Sequence, residues 1–317
     1  MSSKSKTLLI IGGTGFFGKS IIDYIFRYRS FKNINRILLL SRGVSPIKIS
    51  KKLNKKIKII NIYGNIINLK KIPHADYVIY CSIIHNYKKD YKAVCNYYKL
   101  AKKYHSESQI LYTSSGAIYG QQPSHIKKLT EDYLFKNRRL NFKNKDKNMY
   151  SIIKLRNEKI FQKLGQLGMK VSIARCFAFV GKFLPRKNNY VVGNFIQSIL
   201  DKKSLELNAN YKVLRSYMHA DDLAQWLLKI VLKANKNCPV YNVGSNHILN
   251  IKNLGVYLAK KNKLSFKVHK IKKKFIDVYV PSISKAKKEL KLRLKYNSIE
   301  AVNNTINSLK KNLSNVI

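Results

Sequence analysis

The chain has 317 residues, enough to bury a sizeable core as one large domain or two. It is 45% hydrophobic, and no apolar run approaches the roughly 18 residues that a membrane span needs, so a transmembrane protein is not expected. Its charge is extreme: 63 Lys and Arg against 15 Asp and Glu give a formal net charge of +48, which raises nucleic-acid or anionic-membrane binding as a function class. The cations are spread over the whole length among Ile, Asn and Tyr, with no basic tail and no single basic helix face. They read as compositional background, and nucleic acid is not an expected partner. Cys81, Cys95, Cys176 and Cys238 are far apart in sequence and have neither metal-ligand nor redox spacing, so reduced thiols, no metal and a cytoplasmic protein are expected. The polar start, Met1 to Thr7, leads straight into an apolar run and shows no signal-peptide pattern.

Leu8-Leu9-Ile10-Ile11 is a short apolar run of the buried-strand type. It ends in Gly12-Gly13-Thr14-Gly15-Phe16-Phe17-Gly18, and Lys19 to Ile25 continues with helical periodicity. Strand, glycine turn and helix in that order are the context of a dinucleotide-binding loop. Glycines at 12, 15 and 18 permit a tight turn, let the backbone approach a pyrophosphate and allow close helix–strand packing, while the helix N-terminus favours the anion. Gly12, Gly15, Phe16, Phe17 and Gly18 are therefore candidate cofactor contacts. A second strand, Arg36 to Leu40, ends at Ser41-Arg42. An acidic residue there would accept a ribose 2′-hydroxyl, whereas an Arg suits a 2′-phosphate. Ser41 and Arg42 thus tilt the expected cofactor, NAD or NADP, toward NADP.

Further strands are expected at Ile57–Ile62, Tyr77–Cys81, Gln109–Thr113 and Val171–Arg175, with helices at Tyr91–Tyr104 and Asn148–Leu164. This alternation predicts an α/β fold with a Rossmann-like, doubly wound parallel sheet. The last of these helices carries Tyr150 and Lys154, four residues apart and therefore one turn from each other on one face. A free phenol titrates near ~10 and is a poor base at neutral pH, but a nearby ammonium favours the phenolate. The pair could pass a proton to or from a substrate hydroxyl.

These segments, in this order, resemble the extended short-chain dehydrogenase/reductases, in the branch of NAD-dependent nucleotide-sugar epimerases and dehydratases. The resemblance rests on the glycine loop, on Thr113-Ser114-Ser115-Gly116-Ala117-Ile118-Tyr119-Gly120, on Tyr150 and Lys154 with Glu158, on Ala174 to Gly181, on Arg215 to Leu223 and on Tyr241 to Ser245. It implies that Ser115 hydrogen-bonds the hydroxyl at carbon 4 of the sugar and that Tyr150 is the acid/base. It further implies that Lys154 holds the nicotinamide ribose and that Arg215, with Asn194, lies in the nucleotide-sugar site. Asn65 and Ile66, after the third strand, would lie near the adenine; the family's Asp is Asn65 here. The 4,6-dehydratases of this branch carry an Asp-Glu pair directly after their Ser/Thr, where this chain has Gly116 and Ala117. Ala178 replaces the usual substrate-contacting Asn, and Lys182 replaces a Pro.

The resemblance implies residues 1–180 as the cofactor domain, with a returning segment near 216–248, and 181–215 with 249–317 as a substrate lobe. In that lobe Asn188 to Leu200 reads as a loop and helix, and Lys272-Lys273-Lys274 reads as a solvated run. A homodimer through a helix pair is what the resemblance suggests. The expected function is hydride chemistry at carbon 4 of a nucleotide-linked hexose, as a 4-epimerase or a 4-keto-sugar reductase. The alternatives are a 4,6-dehydratase without the Asp-Glu pair and a non-catalytic NAD(P)- or RNA-binding relative.

Overall fold

The computed structural model describes residues 5–31, 33–43, 57–133, 145–186, 190–209, 211–268 and 275–314. The apolar runs pair as a parallel sheet: β1 (Lys6–Ile11), β2 (Ile34–Ser41), β3 (Lys58–Tyr63), β4 (Tyr77–Tyr80), β5 (Gln109–Ser115) and β6 (Lys170–Cys176). With Val240–Val243 at one edge, the order is Val240–Val243, β6, β5, β4, β1, β2, β3. The central strands are buried on both faces, which is why they read as continuous apolar runs rather than as alternating ones. Strand order reverses at β1, which lies between β4 and β2, and ligands of such sheets bind at the carboxyl ends beside that switch.

Helices α1 (Phe16–Tyr28), α2 (Tyr87–Tyr104) and α3 (Lys145–Gln166) complete the layers. Leu9, Val78, Tyr80, Ile110 and Tyr112 of the sheet pack with Val94 and Tyr97 of α2 and Phe161 of α3. The Phe161 ring stacks on Tyr112 with centroids 4.4 Å apart. Helix α2 begins four residues before the expected Tyr91, because Asn86 caps it by accepting from the Lys89 N–H. Helix α3 likewise begins at Lys145, ahead of the expected Asn148.

The described residues form two compact units. The first holds residues up to Gly120, α3 through Cys176, and Ala224–Tyr241. The second holds 121–133, Phe177–Leu223 and the chain from Asn242 onward. In the second unit Lys212–Arg215 pairs with Ile276–Tyr279 in parallel and with Leu249–Asn250 in antiparallel fashion. Helices Val191–Leu200, Ile251–Lys261 and Ser298–Ser314 close its core through Phe195, Leu254, Leu258, Val302 and Ile306. Leu129 ties residues 121–133 into this unit, donating to the Val280 carbonyl and accepting from the Ser282 N–H. Asn188, where the expected loop and helix begin, and the run Lys272 to Lys274 lie outside the described residues. Among the described residues no helix is long and apolar enough to cross a membrane.

Candidate active site

The glycine loop leaves β1 at its carboxyl end. Gly12 has φ +89°, and a Cβ there would sit 2.7 Å from the Ser82 nitrogen, so both conformation and space demand glycine. A Cβ on Gly18 would overlap the Gly13 carbonyl, which lets α1 start hard against the turn. Gly15 differs: it is exposed, and only the Gly12 carbonyl lies near the position of an added Cβ, at 3.3 Å. Gly15 is also the N-cap of α1, contributes no side-chain cap, and the first turn has no acidic residue. This helix start therefore suits an anion brought to its N–H groups.

Phe16 and Phe17 are half-buried beside the loop with ring centroids 5.7 Å apart. Ser41 ends β2 and donates to the Gly43 carbonyl at 3.0 Å, and Arg42 is exposed next to it. Asn65 is exposed and accepts from the Ile67 N–H at 3.1 Å. Ile66 is buried in the core, and its carbonyl accepts from Asn96, so its side chain serves packing.

Strand β5 runs two residues beyond the expected Thr113, to Ser115, where a tight turn, Gly116–Tyr119, begins. The Ser115 hydroxyl oxygen accepts from the Ala117 N–H at 3.2 Å. Ser151, next to Tyr150, donates to the Ala117 carbonyl at 2.5 Å, so the early turns of α3 are tied to the end of β5. Thr113 points elsewhere, donating to the Tyr80 carbonyl at 3.2 Å. Lys154 is buried, donates to the Tyr112 hydroxyl at 3.3 Å and has its Nζ 6.0 Å from the Tyr150 ring centroid. Burial alone would push the Lys154 ammonium down; Tyr112, Tyr150 and Asp90 outweigh it and hold the group well above the ordinary lysine value. Burial pushes the Tyr112 phenol up to about 12, against the opposing pull of Lys154.

Behind the pair, Arg175 of β6 makes a two-pronged bond to Glu158 of α3, at 3.1 and 3.0 Å, and donates to the Tyr119 hydroxyl at 2.9 Å. All three are buried, so this cluster joins β6, α3 and the turn that follows Ser115.

Three residues of this neighbourhood escaped the sequence reading: Tyr112, Asn157 and Asp90. Asp90 is 3% exposed, accepting from the Ile84 N–H at 2.9 Å and from Asn157 Nδ2 at 3.0 Å. Its signal was present in the sequence. It is the one acid of α2 and falls in register with the buried Ala93, Val94, Tyr97 and Ala101.

In the second unit, Arg215 pairs with Asp277 at 2.6 Å and donates to the Leu214 and Asp277 carbonyls, both at 2.9 Å. Asn194 is exposed on the helix Val191–Leu200. Lys182 lies over the Phe183 ring at 4.9 Å, and the Ala178 carbonyl accepts from the Met218 N–H. Among the described residues no group of three His, Cys, Asp or Glu is placed to hold a metal.

Residues 8–244 match the NAD dependent epimerase/dehydratase family. Comparison with curated protein sequences found no match. Among solved structures, the dTDP-glucose 4,6-dehydratase of Bacillus anthracis, crystallised with NAD, is 15% identical with a TM-score of 0.78 over 98% of each chain. The UDP-glucose 4-epimerase of Thermotoga maritima, solved with UDP-glucose, is 16% identical with a TM-score of 0.76, covering 97% of this chain and 99% of the other. The UDP-N-acetylglucosamine 4-epimerase of Methanobrevibacter ruminantium gives 16% and 0.77, over 98% and 99%. At such identities the likeness shows the fold, and dehydratases and epimerases share it.

Proposed function

Because the chain belongs to the NAD-dependent epimerase/dehydratase family, an NAD(P)-dependent enzyme family, we propose that it performs hydride chemistry at carbon 4 of a nucleotide-linked hexose, as a 4-epimerase or a 4-keto-sugar reductase. The observation that carries this reading is local. Ser115 is followed by Gly116 and Ala117, which cannot transfer protons, while Tyr150 and Lys154 stand on the helix bonded to that same turn. Elimination across carbons 5 and 6 needs an acid and a base beyond Tyr150; chemistry at one carbon needs one proton carrier.

The open face of Gly15, the start of α1 without a side-chain cap and the Lys154 ammonium fit a dinucleotide. The loop from Gly12 to Gly18 would take its pyrophosphate, and Lys154 its nicotinamide ribose. When bound, the cofactor supplies hydride exchange with the sugar carbon. Ser115 would orient the hydroxyl on that carbon, and the Tyr150 hydroxyl would carry its proton, with the Lys154 charge favouring the phenolate. Arg215 would contact the diphosphate using guanidinium donors beyond those given to Asp277 and the two carbonyls. Arg42, exposed at the end of β2, supports NADP over NAD.

A homodimer and a cytoplasmic location belong to the same reading. Tyr91 of α2 and Met149 and Ile152 of α3 are 36–46% exposed on neighbouring helices, which suits a second copy of the chain. The cysteines stand as four free thiols, which suits a reducing compartment.

The experiment is to purify the protein and assay its bound nucleotide and turnover on a sugar-nucleotide panel. An epimerase keeps NAD tightly bound and shows no net redox; a reductase consumes NADPH. A 4-keto-6-deoxy product would overturn the proposal.

A further inference from the structure

Lys154 is 4% exposed, and an ammonium so deep is costly unless it has a partner of opposite charge. The groups that face it come from every neighbouring element: Tyr112 from β5, Tyr150 from its own helix, Cys81 after β4, Cys176 at the end of β6 and Asp90 from α2. Burial pushes the Tyr112 phenol and the Cys81 thiol each up to about 12, and pushes the Cys176 thiol up as well, so these three are uncharged partners near neutral pH. Asp90 is the one carboxylate of the set.

No direct ion pair joins Asp90 to Lys154; the path between them is built from Asn157 and Tyr112. Asn157 is fully buried three residues along α3 from Lys154, hence on the same face, and donates to Asp90 Oδ2 at 3.0 Å. The Ile84 N–H holds the other carboxylate oxygen at 2.9 Å. Lys154 reaches Tyr112 at 3.3 Å from the other side. Asp90 is thus locked in place, screened from water, and surrounded by groups that otherwise add no negative charge.

We infer that Asp90 is the internal counter-charge of Lys154 and, through it, a positioning residue for the acid/base pair at Tyr150. The inference rests on the proposed role of Tyr150 and Lys154, but its first test does not need turnover. Equilibrium urea unfolding is compared for wild type, Asp90→Asn, Lys154→Met and the double variant. Asp90→Asn keeps a carboxamide of the same shape and leaves the ammonium unmatched, so its midpoint should fall. Adding Lys154→Met removes the unmatched charge, so the double variant should be more stable than Asp90→Asn alone. If Asp90→Asn does not fold, the double variant should. A double variant no more stable than Asp90→Asn, or an Asp90→Asn variant as stable as wild type, overturns the inference.

The second test is the pH dependence of kcat/KM. Without the buried carboxylate the Lys154 ammonium loses its proton more easily, so the alkaline limb of the profile should move to lower pH in Asp90→Asn. A lower profile with an unmoved alkaline limb would mean that Asp90 only holds Ile84 and Asn157 in place, and would overturn the inference. Absence of turnover in wild type on every sugar nucleotide would instead defeat the proposed function, and the unfolding comparison would still decide Asp90.

Discussion

Tyr150 and Lys154 share one turn of α3, and the Ser151 bond to the Ala117 carbonyl fixes that turn to the strand end bearing Ser115. Tyr150→Phe removes the proton carrier and leaves the glycine loop untouched. Turnover should fall by roughly 10²–10⁴-fold, the range for a positioned acid/base, with cofactor affinity nearly unchanged in a fluorescence titration. A variant that kept most of its activity would refute the assignment. Gly15→Val tests the loop separately, because it places an isopropyl group on the exposed face beside the start of α1. Cofactor binding should be lost while the far-UV circular dichroism spectrum is retained. At this scale the sequence was legible where a local rule acts: positive φ at Gly12, close packing at Gly18, four-residue spacing at Tyr150 and Lys154. It was opaque where a residue's meaning depends on distant chain. Arg215 reads as a phosphate ligand, but its bond to Asp277, 62 residues on, is not readable from the local pattern. Asp90 falls in register with the buried face of α2, but its partner Asn157, 67 residues on, is not readable from the local pattern.

Elements are held together by buried polar groups as well as by apolar packing. Arg175 and Glu158 join β6 to α3 with side chains 5% and 2% exposed. Arg175→Met strands a buried carboxylate and should cost about 3–5 kcal/mol of unfolding free energy, and replacing Glu158 with Leu as well should recover most of it. His105 closes the end of α2, its Nε2 facing the Pro73 carbonyl at 3.0 Å and its Nδ1 the Tyr97 hydroxyl at 3.3 Å. Both contacts are satisfied by the neutral ring, and burial lowers its pKa to about 4, with the Pro73 carbonyl opposing. A folded value below the unfolded one means that His105 adds stability above pH ~6.5, which is lost as pH falls through about 4. Asp222 slopes the other way: burial raises it to about 6, so its contribution is present at low pH and lost as pH rises through that value. The two overlap, so the test is a difference. The stability of wild type relative to His105→Gln should shrink by about 3 kcal/mol between pH 7 and pH 4. A constant difference would contradict the neutral, buried imidazole. Strand and helix identities were legible from apolar runs and periodicity. Boundaries were not, because the Asn86 cap of α2 precedes the apolar pattern that announces the helix.

Across the whole molecule the scarce acids hold structure. Asp90, Glu158, Asp222 and Asp277 each bond a group distant in sequence, and Glu131 accepts from the Asn242 N–H. Over the whole sequence 15 acids stand against 63 Lys and Arg, which sets the net charge at +48. Such charge opposes self-association at low salt. The proposed dimer through α2 and α3 should therefore strengthen with ionic strength, and Ile152→Glu should yield a monomer by sedimentation at physiological salt. A wild-type monomer at every salt concentration would refute it. The central claim, chemistry confined to carbon 4, is tested most directly by following hydrogen. Sugar nucleotides bearing deuterium at carbon 4, or NADPH bearing deuterium on its nicotinamide, are turned over and the label is located by NMR. Deuterium found at carbon 4 of the product is the predicted result; deuterium found at carbon 6 would contradict it.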